Sequence, residues 1–358
     1  MLHLVLSLDY ELFGNGSGDV QSVIVEPTSR ILETCDRHGV KISIMFEVAE
    51  YLALKGAWED GLLPGSYSPA REMEEQILDA VGRGHDVQLH IHPQWLGAVL
   101  RDRVWCLNME QYRIADLPNG YGTINDPLSI LGAMSICKSA LEQLVNKRRP
   151  EYRCRVFRAG GFLVQPSKLV VEAMVESGIA VDSSVVKGLV RSAPYEVDFR
   201  HAVSHRNWWK ANVADVASRG SEGVGLVELP IYSYTAPYLW NFRPGKLRAA
   251  LQRRELEKRD DHSRINATRS TPSSWEVFRK LFSSHAHTLD FCKLSAATMH
   301  KIVKREQATD PDGVLVLIGH SKDFRDEREL DLFLGKVSQL EDVRVSTFDE
   351  LVPLVTAR

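Results

Sequence analysis

Two histidines in the run DVQLHIH, at residues 86–92, have the spacing of a shared metal site. Apolar and polar residues alternate along this run, which predicts a strand with His90 and His92 on one face. Two imidazoles in such positions can bind the same metal ion. A lone histidine is more often a core residue, but two that alternate at a strand end favour a site. Gln94, after the following turn, is a further candidate, whereas His85 at the start of the strand is given a structural role.

The first predicted strand ends in two carboxylates, in the sequence Asp9-Tyr10-Glu11. Strand alternation puts Asp9 and Glu11 on one side and Tyr10 on the other. The two carboxylates can hold one cation together, or one can bind a metal while the other serves as a base. The structural alternative is an aspartate that begins a loop, followed by a solvated glutamate.

An arginine and two glycines end another predicted strand, in the sequence FRAGGF. The guanidinium of Arg158 can lie beside the carboxylates, where it would orient an ionised Asp9 and lower the pKa of that carboxyl. Gly160 and Gly161 also fit an ordinary turn between a strand and a helix, which is the alternative interpretation.

Three further histidines lie outside these motifs. His320 follows the very apolar run GVLVLI at residues 313–318, and at the mouth of a central strand it is suited to act as a general acid. The alternative is that His320 caps the next helix. His285 and His287 form a second HxH pair without a strand pattern around it, and we assign this pair to a surface loop or an orienting role.

The elements that must position these residues alternate between strands and helices. Strands are predicted at residues 2–8, 40–48, 86–92, 155–158, 180–184, 224–230, 313–318 and 343–346, and helices at 27–38, 69–83, 126–147, 166–177, 295–305 and 327–340, before a short closing helix. Asp126 is the expected N-cap of the third of these helices. Repeated units of this kind predict an α/β protein with a largely parallel sheet. About seven units favour a closed or nearly closed barrel, whose active site lies at the carboxyl ends of the strands.

Composition and charge exclude several classes of protein. The 358 residues are 44% hydrophobic and 25% charged, which is typical of a globular protein with a sizeable core. The net charge of −3 argues against nucleic acid as the main partner. The sequence predicts neither an integral membrane segment nor a signal peptide. Five widely spaced cysteines without a CxxC motif are expected to be free thiols in the cytoplasm.

One segment departs from the alternating pattern. Residues 243–269 contain nine lysines or arginines and four aspartates or glutamates, a net charge of +5. We interpret the segment as a basic surface insertion in a single barrel domain that spans residues 1–358. The alternative is a lid or a contact for an anionic substrate.

The order of the motifs resembles that of the polysaccharide deacetylases, the metal-dependent carbohydrate esterase family four. LSLDYE is similar to the acidic motif of that family, FRAGGF to its arginine motif and LIGH to its Leu-x-x-His motif. GHDVQLHIHPQW resembles the family's histidine motif, and most of all a branch with an HxHPxW motif. AVDSSV and VELPIYS are similar to two further segments. The resemblance extends from Leu6 to about Phe324.

This resemblance implies a distorted (β/α) barrel, usually of seven parallel strands, that binds one divalent metal ion, most often Zn²⁺. It also implies roles for particular residues: Asp9 as general base, Glu11 and His90 as metal ligands, Arg158 as the residue that orients the base, and His320 as general acid. The family's second histidine ligand lies four residues after the first, where this chain has Gln94. His92 is therefore expected to complete the ligand set.

The activity implied by the resemblance is removal of an acetyl group from an N-acetylated sugar, in a glycan or a glycan precursor. Trp95, Gly160, Gly161 and Phe162 are expected to bind this substrate. Two other functions fit the same residues. The same site could hydrolyse a non-sugar amide, an imide or a glycosidic bond, or the chain could be a catalytically silent sugar-binding relative.

Overall fold

The computed structural model describes residues 1–63, 68–192, 195–203, 207–220, 225–237 and 284–357. The strands are β1 Leu2–Tyr10, β2 Ser43–Glu47, β3 Asp86–Ile91, β4 Val99–Arg101, β5 Val104–Cys106, β6 Val156–Ala159, β7 Val181–Asp182, β8 Val190–Arg191, β9 Val197–Asp198, β10 Trp209–Lys210, β11 Val227–Glu228, β12 Ser233–Pro237, β13 Ser284–Thr288, β14 Val314–His320 and β15 Val343–Val345. The helices are α1 Glu26–Arg37, α2 Val48–Glu59, α3 Pro69–Gly82, α4 Ile130–Asn146, α5 Lys168–Glu176, α6 Ala296–Thr309, α7 Glu327–Val337 and α8 Phe348–Thr356. A π-helical turn, Gln21–Val25, precedes α1, and the 3₁₀ turns are Pro93–Trp95, Met109–Gln111, Ile114–Asp116, Gly160–Phe162 and Ser321–Asp323.

The main sheet runs in the order β10-β11-β7-β6-β3-β2-β1-β14, with β15 paired to the start of β1. Within the described ranges, β1, β2, β3, β6, β7, β11 and β14 pair in parallel, and β10 is antiparallel to β11. Parallel bridges join Ile231, just after β11, to Val186 and to Val316 of β14, so the two ends of the curled sheet meet. The expected distorted (β/α) barrel is thus confirmed.

Strand alternation separates the two faces of the barrel. Leu4, Leu6 and Leu8 of β1 belong to the larger core, which includes the helices outside the sheet. Val5 belongs instead to a smaller cluster with Val316 and with residues of α8. Asp9 lies four residues beyond Val5 and shares its face, so the site residues form the layer above this inner cluster.

Several local predictions need correction. The helix predicted from residue 126 begins at Ile130, because the side chain of Ser129, rather than Asp126, accepts the hydrogen bond from Gly132 N. His285 and His287 lie on a strand, β13, which pairs antiparallel with β12. Helix α2 was not predicted at all.

The basic segment 243–269 lies outside the described residues. All five cysteines are free, with Cys106 exposed and Cys292 partly so. In the described part of the chain, no helix is both long and apolar enough to cross a membrane.

Candidate metal centre and catalytic groups

The predicted site residues meet at one rim of the barrel because their strands run parallel and in register. Asp9 of β1 pairs with His320 of β14. Two strands away from β1 in the same sheet, His90 of β3 pairs with Glu47 of β2 and with Arg158 of β6. Each residue stands at or near the carboxyl end of its strand, which is the end where α/β barrels have their active sites.

Glu11, His90 and His92 form a compact donor set. Their ligand atoms all lie within 4.8 Å of one another, and all three side chains are buried. Glu11 Oε2 is 3.3 Å from Nε2 of His90 and 2.6 Å from Nε2 of His92. The face predicted to carry both histidines therefore points at the predicted carboxylate.

The donor set fits a divalent metal such as zinc, which accepts imidazole nitrogens and carboxylate oxygens. His90 Nδ1 is 2.8 Å from the carbonyl oxygen of Arg158, and a proton on Nδ1 leaves the Nε2 lone pair for a metal. His92 Nε2 is buried without a hydrogen-bond partner, because its approach to Glu11 lacks hydrogen-bond geometry. A cation between these atoms would satisfy them.

The surroundings of His92 fix the position of its ring. Its backbone N–H donates to Oε1 of Glu47 at 2.5 Å. A Cβ atom on Gly160 would lie 2.6 Å from Cγ of His92, so only glycine lets the imidazole occupy this place. The amide nitrogen of Gln94 lies 3.0 Å from Nδ1 of His92, on the side of the ring away from Nε2. Nε2 of His92 therefore faces the donor set, and Gln94 contacts the opposite side of the His92 ring.

Glu11 is held as a carboxylate. Burial would raise its pKa, but the Lys322 ammonium and the His92 imidazole outweigh burial and hold the pKa well below its usual value. Lys322 Nζ donates to Glu11 Oε1 at 2.6 Å. Lys322 was not predicted as a site residue, although it lies only two residues beyond His320.

Asp9 and Arg158 form a buried ion pair at the centre of the rim. Arg158 Nη1 donates to Oδ1 of Asp9, while Nη2 donates to Ser7 Oγ at 2.9 Å and Nε donates to the carbonyl oxygen of Ser183 at 3.0 Å. Burial raises the pKa of Asp9, but Arg158 and His90 more than offset it, so the pKa is lower than usual. The predicted orientation of an ionised Asp9 by Arg158 matches this geometry.

His320 faces the second oxygen of Asp9. Its Nε2 lies 3.5 Å from Asp9 Oδ2 and 4.0 Å from Glu11 Oε1. Burial is the main reason that the pKa of His320 is lower than usual. The backbone amide of Phe324, the first residue after the 3₁₀ turn Ser321–Asp323, bonds to Ser321 O, and the His320 side chain caps no helix. The helix-capping alternative is therefore not supported.

Two buried glutamates behind the centre were not predicted. Glu47 ends β2 and accepts hydrogen bonds from the backbone N–H groups of Glu50 and His92. Glu50 accepts from Leu12 N, which lies next to Glu11 in the chain. Burial raises the pKa of Glu47 well above its usual value and raises that of Glu50 to about 8. A polar residue at a strand end was the available signal for Glu47.

The residues predicted to contact substrate fall into two groups. Trp95 is 2% exposed and its ring contacts Trp105 at 5.1 Å, so direct binding of a ligand by Trp95 does not fit its burial. The turn Gly160–Phe162 does lie against the centre: Gly160 abuts His92, and Gly161 has a positive φ of 58° beside the Tyr112 ring.

Tyr112, unlike Trp95, is an aromatic residue whose ring lies beside His92 of the donor set. Its ring lies 6.0 Å from the His92 ring, edge to face, and stacks on Tyr195 at 4.7 Å. The ring of His287 contacts that of Tyr234, and its Nε2 lies 3.1 Å from the carbonyl oxygen of Ala236.

Solved structures with a similar fold include three from different enzymes. A Mycobacterium smegmatis protein described as a polysaccharide deacetylase has a TM-score of 0.51 and 14% identity, over 99% of this chain and 90% of that one. The 4-alpha-glucanotransferase of Thermococcus litoralis has a TM-score of 0.49 and 12% identity, over 98% of this chain and 40% of that one. Puue allantoinase has a TM-score of 0.45 and 12% identity, over 99% and 90%.

No protein-family model matches the sequence, and no curated protein matches it either. At 14% identity, the likeness to the Mycobacterium smegmatis protein establishes the barrel fold alone.

Proposed function

We propose that this chain is a metal-dependent hydrolase that removes the acetyl group from an N-acetylated sugar, in a glycan or a glycan precursor. The observation that carries the proposal is the convergence of Glu11, His90 and His92 beside the Asp9 carboxylate and His320. A fold shared with a protein described as a polysaccharide deacetylase supports the same chemistry.

Glu11, His90 and His92 would hold one divalent ion, with Zn²⁺ the best match to two imidazoles and a carboxylate. Such an ion supplies Lewis-acid chemistry, lowering the pKa of a water and polarising a carbonyl. Three protein ligands leave positions open, as in catalytic rather than structural zinc sites.

Asp9 is the general base of this proposal. Arg158 occupies Oδ1 and holds the carboxyl group in its ionised form, which leaves Oδ2 to accept a proton from the attacking water. Ser7 and Ser183 fix the guanidinium, so the orientation of the carboxylate is set before substrate binds.

His320 is the proton donor to the leaving nitrogen, because an amide nitrogen departs poorly unless it is protonated. Nε2 lies 3.5 Å from Asp9 Oδ2, so the two groups border the same volume. The proton that Asp9 Oδ2 accepts from the attacking water would pass to His320 Nε2 over this distance, and His320 would then give it to the leaving nitrogen. The turn Gly160–Phe162 and the ring of Tyr112 would border the sugar at this rim.

Three variants and two readouts test the proposal. Acetate release is screened over N-acetylated sugars, and metal content is measured by elemental analysis after purification without chelators. Asp9→Asn should retain metal and lose turnover, since an amide cannot accept the proton. His90→Ala should lose metal and keep the fold, because His90 is a proposed metal ligand and is not part of the hydrophobic core. If Asp9→Asn loses metal while Glu11→Gln retains it, the two carboxylates exchange roles. Wild-type protein without metal and without acetate release would refute the proposal.

A further inference from the structure

The two oxygens of Glu11 have different partners. Oε1 accepts a hydrogen bond from Lys322 Nζ at 2.6 Å. Oε2 faces the two imidazoles, 3.3 Å from His90 and 2.6 Å from His92. One oxygen is therefore bound to a cation of the protein itself, and the other points into the donor set.

Lys322 is fixed where it makes this contact. Its ammonium also donates to the carbonyl oxygen of Leu12 at 2.8 Å, and its side chain is only 11% exposed. The N–H of the same Leu12 is held by the carboxyl group of Glu50. The backbone of Leu12 is thus held at its N–H by Glu50 and at its carbonyl oxygen by Lys322. These contacts fix the position of the Lys322 ammonium.

A glutamate needs this restraint more than an aspartate does, because it has one more rotatable bond. A carboxylate can bind a cation through one oxygen or through both. Two-oxygen binding would fill one of the positions that the proposed hydrolysis requires for water and for the acetyl carbonyl.

We propose that Lys322 is a positioning residue that restricts Glu11 to binding the metal through Oε2 alone. The inference rests on the proposed function, since it concerns the metal of that site. Lys322 does this through its contact with Oε1, and not merely through its charge.

Charge and position make different predictions. Removing any nearby positive charge should raise the affinity for a divalent cation, whether or not that charge touches Glu11. Only the loss of the Oε1 contact should change the number of oxygens that Glu11 gives to the metal. The coordination of the metal therefore separates the two effects, and the affinity does not.

Lys293 offers a matched control on the same rim. Its ammonium lies 3.0 Å from Asp290 Oδ2 and 2.5 Å from Asp323 Oδ2, and it makes no ion pair with Glu11. Lys293→Met removes a positive charge near His320 while leaving the partners of Glu11 in place.

The test uses the full chain loaded with Co²⁺, whose visible absorption weakens as its coordination number rises. Wild type, Lys322→Met, Lys322→Gln and Lys293→Met are compared for bound Co²⁺ and for absorption per bound ion. Both Lys322 variants should retain one Co²⁺ but show weaker visible absorption per bound ion than wild type. Lys293→Met should keep the wild-type spectrum. Lys322→Gln serves if Lys322→Met does not fold.

Two results would overturn the inference, and they can be told apart. Unchanged spectra in both Lys322 variants, each with one bound Co²⁺, would show that Lys322 does not set the ligation of Glu11. Failure of the wild-type protein to bind Co²⁺ would refute the proposed metal site, and the inference with it.

Discussion

Arg158 donates a hydrogen bond from Nη1 to Oδ1 of Asp9, and both side chains are almost completely buried. Breaking an ion pair in this environment is strongly destabilising, because removing either partner leaves an uncompensated charge in the core. The pair gives the proposed base a fixed orientation and a pKa below the usual value, although burial acts in the opposite direction.

Replacing the arginine should therefore move the acidic limb of the pH–rate profile. Arg158→Lys keeps a positive charge in the core but loses the forked geometry that holds Asp9. The pKa of Asp9 should rise, so that activity is lost at a higher pH than in wild type on acidification. Arg155→Lys, whose arginine bonds to Asp349 away from the site, is the control and should leave the profile unchanged. An unshifted acidic limb in Arg158→Lys would show that Asp9 is not the group that titrates there.

The role of His320 can be separated from a structural one by kinetics. His320→Ala should lower kcat by about 10²–10⁴-fold, the contribution of one positioned proton donor. Metal content should not change, because the proposed ligands are Glu11, His90 and His92; loss of metal in His320→Ala would instead assign the ion to the neighbouring group Asp9, Glu11 and His320. His300→Ala, on helix α6, should keep wild-type kcat. A near-normal kcat with a reduced Tm in His320→Ala would instead assign this histidine to stability.

Gly160 gives a steric test of the metal centre. In Gly160→Ala the new methyl carbon would lie 2.6 Å from Cγ of His92, so the imidazole must move. Affinity for Zn²⁺ should fall by about 10–100-fold, as for other changes that disturb the orientation of a ligand. Gly56→Ala is the control, since nothing lies within 4 Å of the added carbon. Wild-type affinity in Gly160→Ala would mean that His92 is not held against this backbone.

Stability should depend on the pH through Glu50. Burial raises the pKa of Glu50 to about 8 in the folded protein, against 4.5 ordinarily. The folded state holds the proton of Glu50 more tightly than the unfolded state does. The contribution of Glu50 to the free energy of unfolding is therefore fully present below pH 4.5 and is lost as the pH rises through about 8. Glu50→Gln cannot ionise, so its Tm relative to wild type should increase from pH 5 to pH 9. The exposed Glu75→Gln should show no such trend. A constant difference in Tm for Glu50→Gln would contradict the raised pKa.

The local part of the site could be predicted from sequence because it depends on strand periodicity. Alternation alone puts His90 and His92 on one face, and the parallel order of strands brings Asp9 to His320. Glu47 was not predicted as a site residue, because α2 follows β2 with no turn residue between them and Glu47 itself caps the helix. A strand that runs directly into a helix lacks the break by which its end is recognised.

Contacts between distant parts of the chain could not be predicted in this way. The bond from Lys322 to Glu11 joins residues 311 positions apart, and no periodic pattern relates them. Trp95 is 2% exposed and its ring contacts that of Trp105 in the short hairpin β4–β5, which has too few residues to give a strand signal. Tertiary packing decided both cases.

The central claim is that a metal held by Glu11, His90 and His92 is required for deacetylation. The most direct test measures acetate release from the N-acetylated sugar that the screen identifies, after the metal is removed with a chelator and then returned stepwise as Zn²⁺. We expect acetate release to be lost on chelation and restored in full at one Zn²⁺ per chain, with no recovery in His90→Ala under the same titration. Acetate release that persists in metal-free protein would contradict the account.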